Sequence, residues 1–535
     1  MHLIREKTDG IRRRRARFRL VCPVYPAFNV YSGAARIMTA LGPVCVATAV
    51  QDMPGWDAEV IDENNYRRGP KDPAGLADHA VLQRVRPADI VGLYGGLTST
   101  IPRLFEIARV YRSLGVRTIA GGHHFVGDNI EDALRSGVDI VVIGEGEETI
   151  AELLEVIEAD GDLSGVRGIA FLKDGRVVHT PARDPLTDFE SLPIPDYSVL
   201  RYARLKLFGV SGVRGCGMNC EFCAVKGRPR RASPHRVLEQ FATACEKYDA
   251  RMFFIVDDLF AQDRPWALKL CRLLGDYRRR TGARFTVTVQ IRLDKARDTE
   301  LLEAMRDAGV VCLAIGYESP IAEELQAMNK RLKPSDMIAL TRLYRRAGFR
   351  VHGMFIFGYP MGPAQSFHMP AGQRVRHFRK FIRKARIDTV QVLLPIPLPG
   401  TELTERLRQA NRIYSTQHVG LEYYDGNFPI IQPDAPLTPE DMQAAAQRIM
   451  GRFYRPRSML SVALSILSFP WMALWMHEIG DSYRRWSQRW WTRLYRTGGW
   501  ILLRRWAAAF RKDGFLSKLT RAKEGANCNT TSPSR

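Results

Sequence analysis

A chain of 535 residues is too long for one ordinary core, and at about 150 residues per domain it divides into roughly three units. Hydrophobic residues make up 45% and charged residues 25%, which excludes a disordered, collagen-like or low-complexity chain. Lys and Arg (79) outnumber Asp and Glu (57) for a net charge of +22, which argues for an anionic partner such as nucleic acid or a lipid surface.

The basic run Arg12 to Arg15 leads into a buried-strand pattern and not into an apolar signal segment, so residues 1–17 read as a solvated arm rather than a secretory leader. Nine cysteines are an odd number, scattered except for one group of three, which fits a reducing cytosol. From Phe18 to about Ile157, short apolar runs alternate with helical patterns, the mark of a parallel sheet wound with helices. The predicted strands are Phe18 to Tyr25, Ala58 to Asp62, Asp89 to Tyr94, Thr118 to Ala120 and Asp139 to Ile143, giving a Rossmann-like domain over 18–160. Several runs end in Gly or polar residues: Gly95, Gly96, Thr98 and Ser99; Gly121 and Gly122, followed by His123 and His124; and Gly144 and Glu145. Ligands of open parallel sheets lie outside strand carboxyl ends, so this domain is expected to bind one there.

Gly168 to Thr180 predicts a hairpin around Asp174-Gly175, and the proline-bearing stretch Pro185 to Asp196 a linker, together 161–200. Six further strands follow, near Leu207 to Val213, Met252 to Val256, Phe285 to Gln290, Val310 to Ile315, Val351 to Phe357 and Thr389 to Leu394. With helices such as Pro234 to Tyr248 and Pro334 to Ala347 between them, they predict a partial (β/α)6 TIM-type barrel over 201–410. The fold class is therefore α/β, with a helical extension over 411–456, an apolar then basic and aromatic segment over 457–523, and a disordered tail over 524–535.

Cys216, Cys220 and Cys223 follow the first barrel strand directly. Three thiolates within eight residues face one point only if their loop wraps a compact object, and Gly215 and Gly217 give it the freedom to do so. Structural zinc takes four ligands in paired spacings, and no fourth Cys or His lies nearby at such spacing, although a distant His can serve. Three ligands leave one iron of a four-iron cluster open. Later strands also end in polar or Gly/Pro residues, notably Asp257 and Asp258, Arg292, Glu318, and Gly358. Carboxylates there suit ribose hydroxyls or an amino group, and Arg292 suits a carboxylate; the alternative is that each acid caps the next helix.

A C-x-x-x-C-x-x-C set at the end of a first barrel strand resembles the radical S-adenosylmethionine (SAM) superfamily. The resemblance implies a 4Fe-4S cluster whose open iron chelates SAM, reductive cleavage to a 5′-deoxyadenosyl radical, and an electron donor such as flavodoxin or ferredoxin. It also places Phe222 beside the adenine and Glu318 at the ribose. A Rossmann-like unit ahead of such a barrel resembles the cobalamin-binding branch, over roughly Phe18 to Asp441, with Ile61-Asp62, Pro397 to Thr401 and Leu437 to Asp441 typical of it. That branch includes methylases of unactivated carbon and phosphorus, hopanoid-modifying enzymes and the anaerobic cyclase of bacteriochlorophyll synthesis. The Asp-x-His-x-x-Gly motif that gives cobalt a lower histidine in many such domains is missing, so no cobalt ligand is assigned.

Met459 to His477 is apolar for nearly a bilayer span, but Pro470 and three serines favour an interfacial or buried helix. From Gly480 to Glu524 twelve Lys or Arg face three acids, and seven of the nine Trp lie after Phe469, which suits an in-plane membrane anchor better than stacking on single-stranded nucleic acid. The expectation is a cytoplasmic enzyme, peripheral at the inner membrane face, that methylates an unactivated carbon of a lipid-like or natural-product small molecule with SAM and cobalamin. A cobalamin-dependent cyclase, oxidase or rearrangement enzyme is the alternative within the branch. Outside it stand an RNA methylthiotransferase, which needs a second cysteine triad where only Cys22 and Cys45 occur, and a non-enzymatic metal scaffold.

Overall fold

The computed structural model describes residues 14–29, 32–330, 332–362, 365, 367–455 and 480–521. The first sheet is built on β1 (Ala16–Cys22), whose parallel partners are β2 (Trp56–Asp62) and β3 (Ile90–Tyr94). Next come β4 (Arg117–Gly121) and β5 (Ile140–Val142), both parallel, then the antiparallel hairpin β6 (Ile169–Lys173) and β7 (Arg176–His179). Helices α1 (Leu41–Gln51), α2 (Ile101–Ser113) and α3 (Glu147–Glu158) cover it. The inner strands β3 and β5 are continuous apolar runs, as expected for a sheet covered on both faces. β1 and β2 instead carry facing charges: Arg17 pairs with Asp57 at 2.9 Å, and Arg19, fully buried, with Glu59 at 2.7 Å.

The strand order, β7-β6-β5-β4-β3-β1-β2-β8, with β8 spanning Leu200–Arg201, reverses between β3 and β1. Such a reversal opens a crevice at the strand carboxyl ends, which here means beside Tyr94 to Ser99. The stretch read as a linker is integrated into the fold. Its hairpin extends this sheet, and β8 (Leu200–Arg201) pairs with β2. Tyr197, inside it, donates from its hydroxyl to the Gly209 carbonyl of the next domain at 2.6 Å.

The second sheet begins with β9 (Phe208–Val210). A short pair, β10 (Val213–Arg214) and β11 (Arg230–Arg231), brackets the cysteine loop, so the predicted run Leu207 to Val213 breaks in two. Then follow α4 (Pro234–Tyr248), β12 (Met252–Phe260), α5 (Arg264–Thr281), β13 (Thr286–Ile291), α6 (Thr299–Asp307) and β14 (Val310–Glu318). The repeat continues through α7 (Pro334–Arg346), β15 (Arg350–Ile356), α8 (Ala371–Ala385), β16 (Thr389–Leu393) and α9 (Glu402–Gln409). Six parallel strands in the order β9-β12-β13-β14-β15-β16, each beside its predecessor, form the open barrel that the sequence predicts. Ser233, Asp263, Asp298 and Thr401 cap α4, α5, α6 and α9 through side-chain oxygens that accept backbone N–H bonds.

Beyond the barrel, the described residues include α10 (Pro439–Phe453) and α11 (Gly480–Asp513). The aromatic helix α11 is partly a packing element: Trp506 is buried, and Arg496 donates to the carbonyls of Ile387 and Asp388. Just past it Phe515 and Leu519 are also buried, Phe515 lying against Tyr423 and Phe428. Among the described residues no helix is long and apolar enough to cross a membrane; Met459 to His477, residues 1–13 and the terminal tail lie outside them.

Candidate active site

The cysteine loop leaves β10 and returns at β11. Gly217 donates its N–H to the Gly227 carbonyl at 3.0 Å, and Cys223 donates to the Cys220 carbonyl at 3.2 Å. Gly215 has φ +86°, and a Cβ there would sit 2.9 Å from the Arg228 carbonyl oxygen, so the return path requires glycine. Side chains hold the loop carbonyls. Gln262 and Asn329, from distant elements, donate to those of Cys216 at 2.7 Å and Asn219 at 2.9 Å, and Lys226, within the loop, donates to that of Cys220 at 3.1 Å.

All three thiols are half-buried. Burial first, and then neighbours including Asp258 and Cys220, push the Cys216 thiol above its ordinary value, and Cys223 is raised likewise. The thiols therefore feel one another. Three thiols on one loop suit a multi-iron body held at three corners, whereas structural zinc takes four protein ligands. Cys22 and Cys45, in β1 and α1, lie apart from the loop and supply no second triad.

The strand-end acids are not helix caps. Asp257 and Asp258 fall where the β12 and β13 register shifts, between Ile255 and Phe260, and Glu318 falls at a second shift between β14 and β15. Such irregularities re-aim side chains at the end of a sheet. Glu318 also has φ +58°, a conformation that non-glycine residues rarely hold. Its carboxylate accepts from half-buried Lys330 at 2.7 Å. Asp257 is committed to the fold: Oδ1 accepts from Gly212 N–H at 2.7 Å and Val213 N–H at 2.9 Å, and burial pushes its carboxyl up to about 7. Oδ2 of Asp257 has no partner among the described residues. Arg292 reaches the loop, Nη1 lying 2.9 Å from the Met218 sulfur. Phe222 meets Tyr359 edge to face at 6.1 Å. Gly358 instead faces helix α10, where a Cβ would lie 2.2 Å from the Met442 sulfur, so it admits packing rather than a ligand.

Sequence reading missed Lys330, Gln262, Glu221 and Arg406. Glu221, between two cysteines, accepts from Arg406 of α9 at 2.5 Å and from the Tyr359 hydroxyl at 2.5 Å, which ties the loop to the far side of the barrel. No periodicity marks Glu221, because its partners lie 138 and 185 positions away in the chain.

At the first sheet, Gly95 donates to the Gly121 carbonyl at 2.8 Å and His124 N–H to the Gly95 carbonyl at 3.0 Å. A Cβ on Gly122, at φ +127°, would stand 2.7 Å from the Gly95 backbone. These glycines join the ends of β3 and β4 into a smooth floor. His124 is buried, its Nδ1 lies 3.2 Å from the Thr98 hydroxyl, and burial lowers its imidazole to about 4, which commits it to the fold as a neutral ring. The Ser99 hydroxyl is buried without a hydrogen-bond partner among the described residues, an orphan that a bound polar group would satisfy.

The two sheets present these ends to each other. Arg214 of β10 pairs with Glu145 at 2.8 Å and Glu147 at 2.5 Å, and Arg230 of β11 pairs with Glu145 at 2.7 Å. Exposed His123 helps hold Asp258 charged against the burial that raises its pKa, and Val126 stands 3.3 Å from where a Gly400 Cβ would be. An open barrel bearing a three-cysteine loop, facing a doubly wound sheet with a glycine-floored crevice, defines an iron-sulfur enzyme with a second cofactor module.

Comparison with known proteins specifies this class further. Residues 210–369 match the Radical SAM superfamily and residues 33–154 the B12 binding domain. The chain therefore carries a Radical SAM domain with a B12 binding domain ahead of it, and a 4Fe-4S cluster, SAM and cobalamin are its cofactors. It is 27% identical to an uncharacterized methyltransferase of Pyrococcus horikoshii over 378 residues, covering 68% of this chain and 77% of the relative. It is 23% identical over 382 residues to the anaerobic magnesium-protoporphyrin IX monomethyl ester cyclase of Rubrivivax gelatinosus, covering 67% and 65%. The solved structure of the cobalamin-dependent SAM radical enzyme OxsB, with aqua-cobalamin and SAM bound, shares the fold with a TM-score of 0.61 at 14% identity, covering 97% of this chain and 82% of that one.

Proposed function

We propose that this chain is a cobalamin-dependent radical SAM methyltransferase acting on an unactivated carbon of a hydrophobic small molecule. The observation that carries the reading is the network of Arg214 and Arg230 with Glu145 and Glu147, which ties the strands flanking the cysteine loop to the strand-end turn of the first sheet and so favours two cofactors held near each other. When bound, the cluster with SAM supplies a hydrogen-abstracting radical and cobalamin supplies the methyl group.

The protein's own part is positioning and exclusion of water. Cys216, Cys220 and Cys223 would hold three irons, with Gln262, Asn329 and Lys226 fixing their loop. Glu318, held by Lys330, and Arg292 would orient the polar parts of SAM, while Asp257 keeps the turn after β9 in place. Gly95, Gly96, Thr98, Ser99, Gly121, Gly122, Gly144 and Glu145 would form the cobalamin crevice. Leu97, Val126 and Met218, 39%, 46% and 36% exposed, stand on the loops that ring it and favour an apolar occupant. A one-electron reductant such as flavodoxin or ferredoxin completes the cycle.

The test is turnover of reconstituted enzyme with methylcobalamin, a low-potential reductant and a lipid or pigment extract. Deoxyadenosine together with a product heavier by one methyl group supports the reading. Deoxyadenosine with a substrate oxidised, cyclised or rearranged at constant carbon count overturns it in favour of the cyclase-type reaction.

A further inference from the structure

At the end of the barrel opposite the cysteine loop lies a groove of about 790 Å³ between α7, α8, α10 and α11. Arg386, Ile387 and Asp388, at the amino end of β16, form its floor. Because all six barrel strands run parallel, this is the face away from the chemistry. Ten of its sixteen lining residues are Lys or Arg, and Asp388 is the only acid among them in the described residues. That acid is already spent: it is buried, pairs with Arg345 at 2.8 Å, and accepts from the Thr492 hydroxyl at 2.5 Å and the Val351 N–H at 2.9 Å. Arg376, Arg379, Lys380, Arg383, Arg386 and Arg452 have no carboxylate partner among the described residues. Burial, and then the charges of Arg452, Arg455 and Arg383, hold the Arg379 guanidinium below its ordinary value.

Crowding of like charges around one cavity raises the energy of the folded chain unless an anion enters. We infer that this groove is a docking site for the phosphate headgroups of anionic lipids, seating the enzyme on a membrane with its active site turned away from the surface. Three observations favour a lipid over another polyanion. First, the wall of the groove formed by α11 carries an aromatic cluster on its flank: Trp491 meets Trp490 at 5.1 Å and Tyr495 at 6.0 Å, with Trp491 and Tyr495 each 41% exposed. Exposed Trp and Tyr beside arginines suit the headgroup boundary. Second, Tyr495 also lies under Arg350, 4.9 Å from its centroid, so the cation and the rings form one surface. Third, the chain between the two walls, after Arg455 and before Gly480, includes Met459 to His477, which contains no Asp, Glu, Lys or Arg. Neither nucleic acid nor an acidic protein calls for such a stretch.

Flotation of the full-length holoenzyme with vesicles tests this. Binding is expected to vesicles of phosphatidylcholine with phosphatidylglycerol, not to phosphatidylcholine alone, and to survive added inorganic phosphate. The triple variant R379Q/R383Q/R452Q should lose about 100-fold in partitioning, from about 1 kcal/mol per cation at a charged surface. The milder pair R379K/R452K should retain binding, and both variants should still cleave SAM, which shows that they fold. Equal partitioning of the triple variant and wild type overturns the inference. So does wild-type binding to single-stranded DNA or polyglutamate without binding to anionic vesicles, or displacement from the vesicles by inorganic phosphate alone.

Discussion

Glu145, in the turn after β5, bridges two arginines of the other domain, Arg214 at 2.8 Å and Arg230 at 2.7 Å, and Arg214 lies two residues ahead of the first cluster cysteine. Burial raises the Glu145 carboxyl, but Arg230 and Arg214 overcome it and hold the group below its ordinary value. A carboxylate more acidic in the folded chain contributes stability above its unfolded pKa and loses it as pH falls through the folded one. Glu145→Gln is therefore expected to cost about 1–3 kcal/mol near pH 7, the cost of leaving partly buried arginines short of a partner. The gap to wild type should close as pH falls through the carboxylate range, and thermal unfolding across pH measures it. A gap that stays constant with pH removes the charge from the explanation.

Cys216→Ala, Cys220→Ala and Cys223→Ala should each abolish the brown colour of the reconstituted cluster and the cleavage of SAM. The thiols sit in a loop fixed by hydrogen bonds to backbone carbonyls, so each change leaves the fold in place. Cleavage retained by any one of the three would overturn the cluster assignment.

Much of the fold was legible in the sequence. The alternation of apolar runs marked both sheets, and the polar ends of those runs marked the strand ends, where parallel sheets concentrate ligands. The strand-end acids were visible, but not what re-aims them, since a register shift at Asp257 or Glu318 is a property of paired strands rather than of one. The aromatic helix was only half legible. Interleaved Arg and Trp look alike whether they meet lipid or protein, and only the packing shows that Trp506 is buried while Trp491 is not.

Lys330 follows from this as a test of a residue that no pattern announces. It is half-buried beside Glu318, whose charge raises the Lys330 pKa against the desolvation that lowers it. Lys330→Met removes the partner of a carboxylate held at φ +58° and should raise the KM for SAM about 10-fold, or ~1.4 kcal/mol, with cluster content unchanged. Cleavage assays at varied SAM measure it; an unchanged KM separates Lys330 from the cofactor.

Ser99 gives the sharpest contrast between the empty and the loaded protein. A buried hydroxyl with no partner costs about 1–3 kcal/mol, which replacement by a methyl group recovers. Ser99→Ala should therefore stabilise the cobalamin-free protein by about 1 kcal/mol or more, and thermal denaturation reads this directly. If the orphan hydroxyl is kept for a polar group of cobalamin, the same variant should bind cobalamin about 10-fold more weakly, the loss of one hydrogen bond. Titration by the change in cobalamin absorbance measures that side. The two effects must run in opposite directions: a variant that is both more stable and equally tight for cobalamin shows that Ser99 faces a packing defect, and the crevice then loses one of its polar contacts.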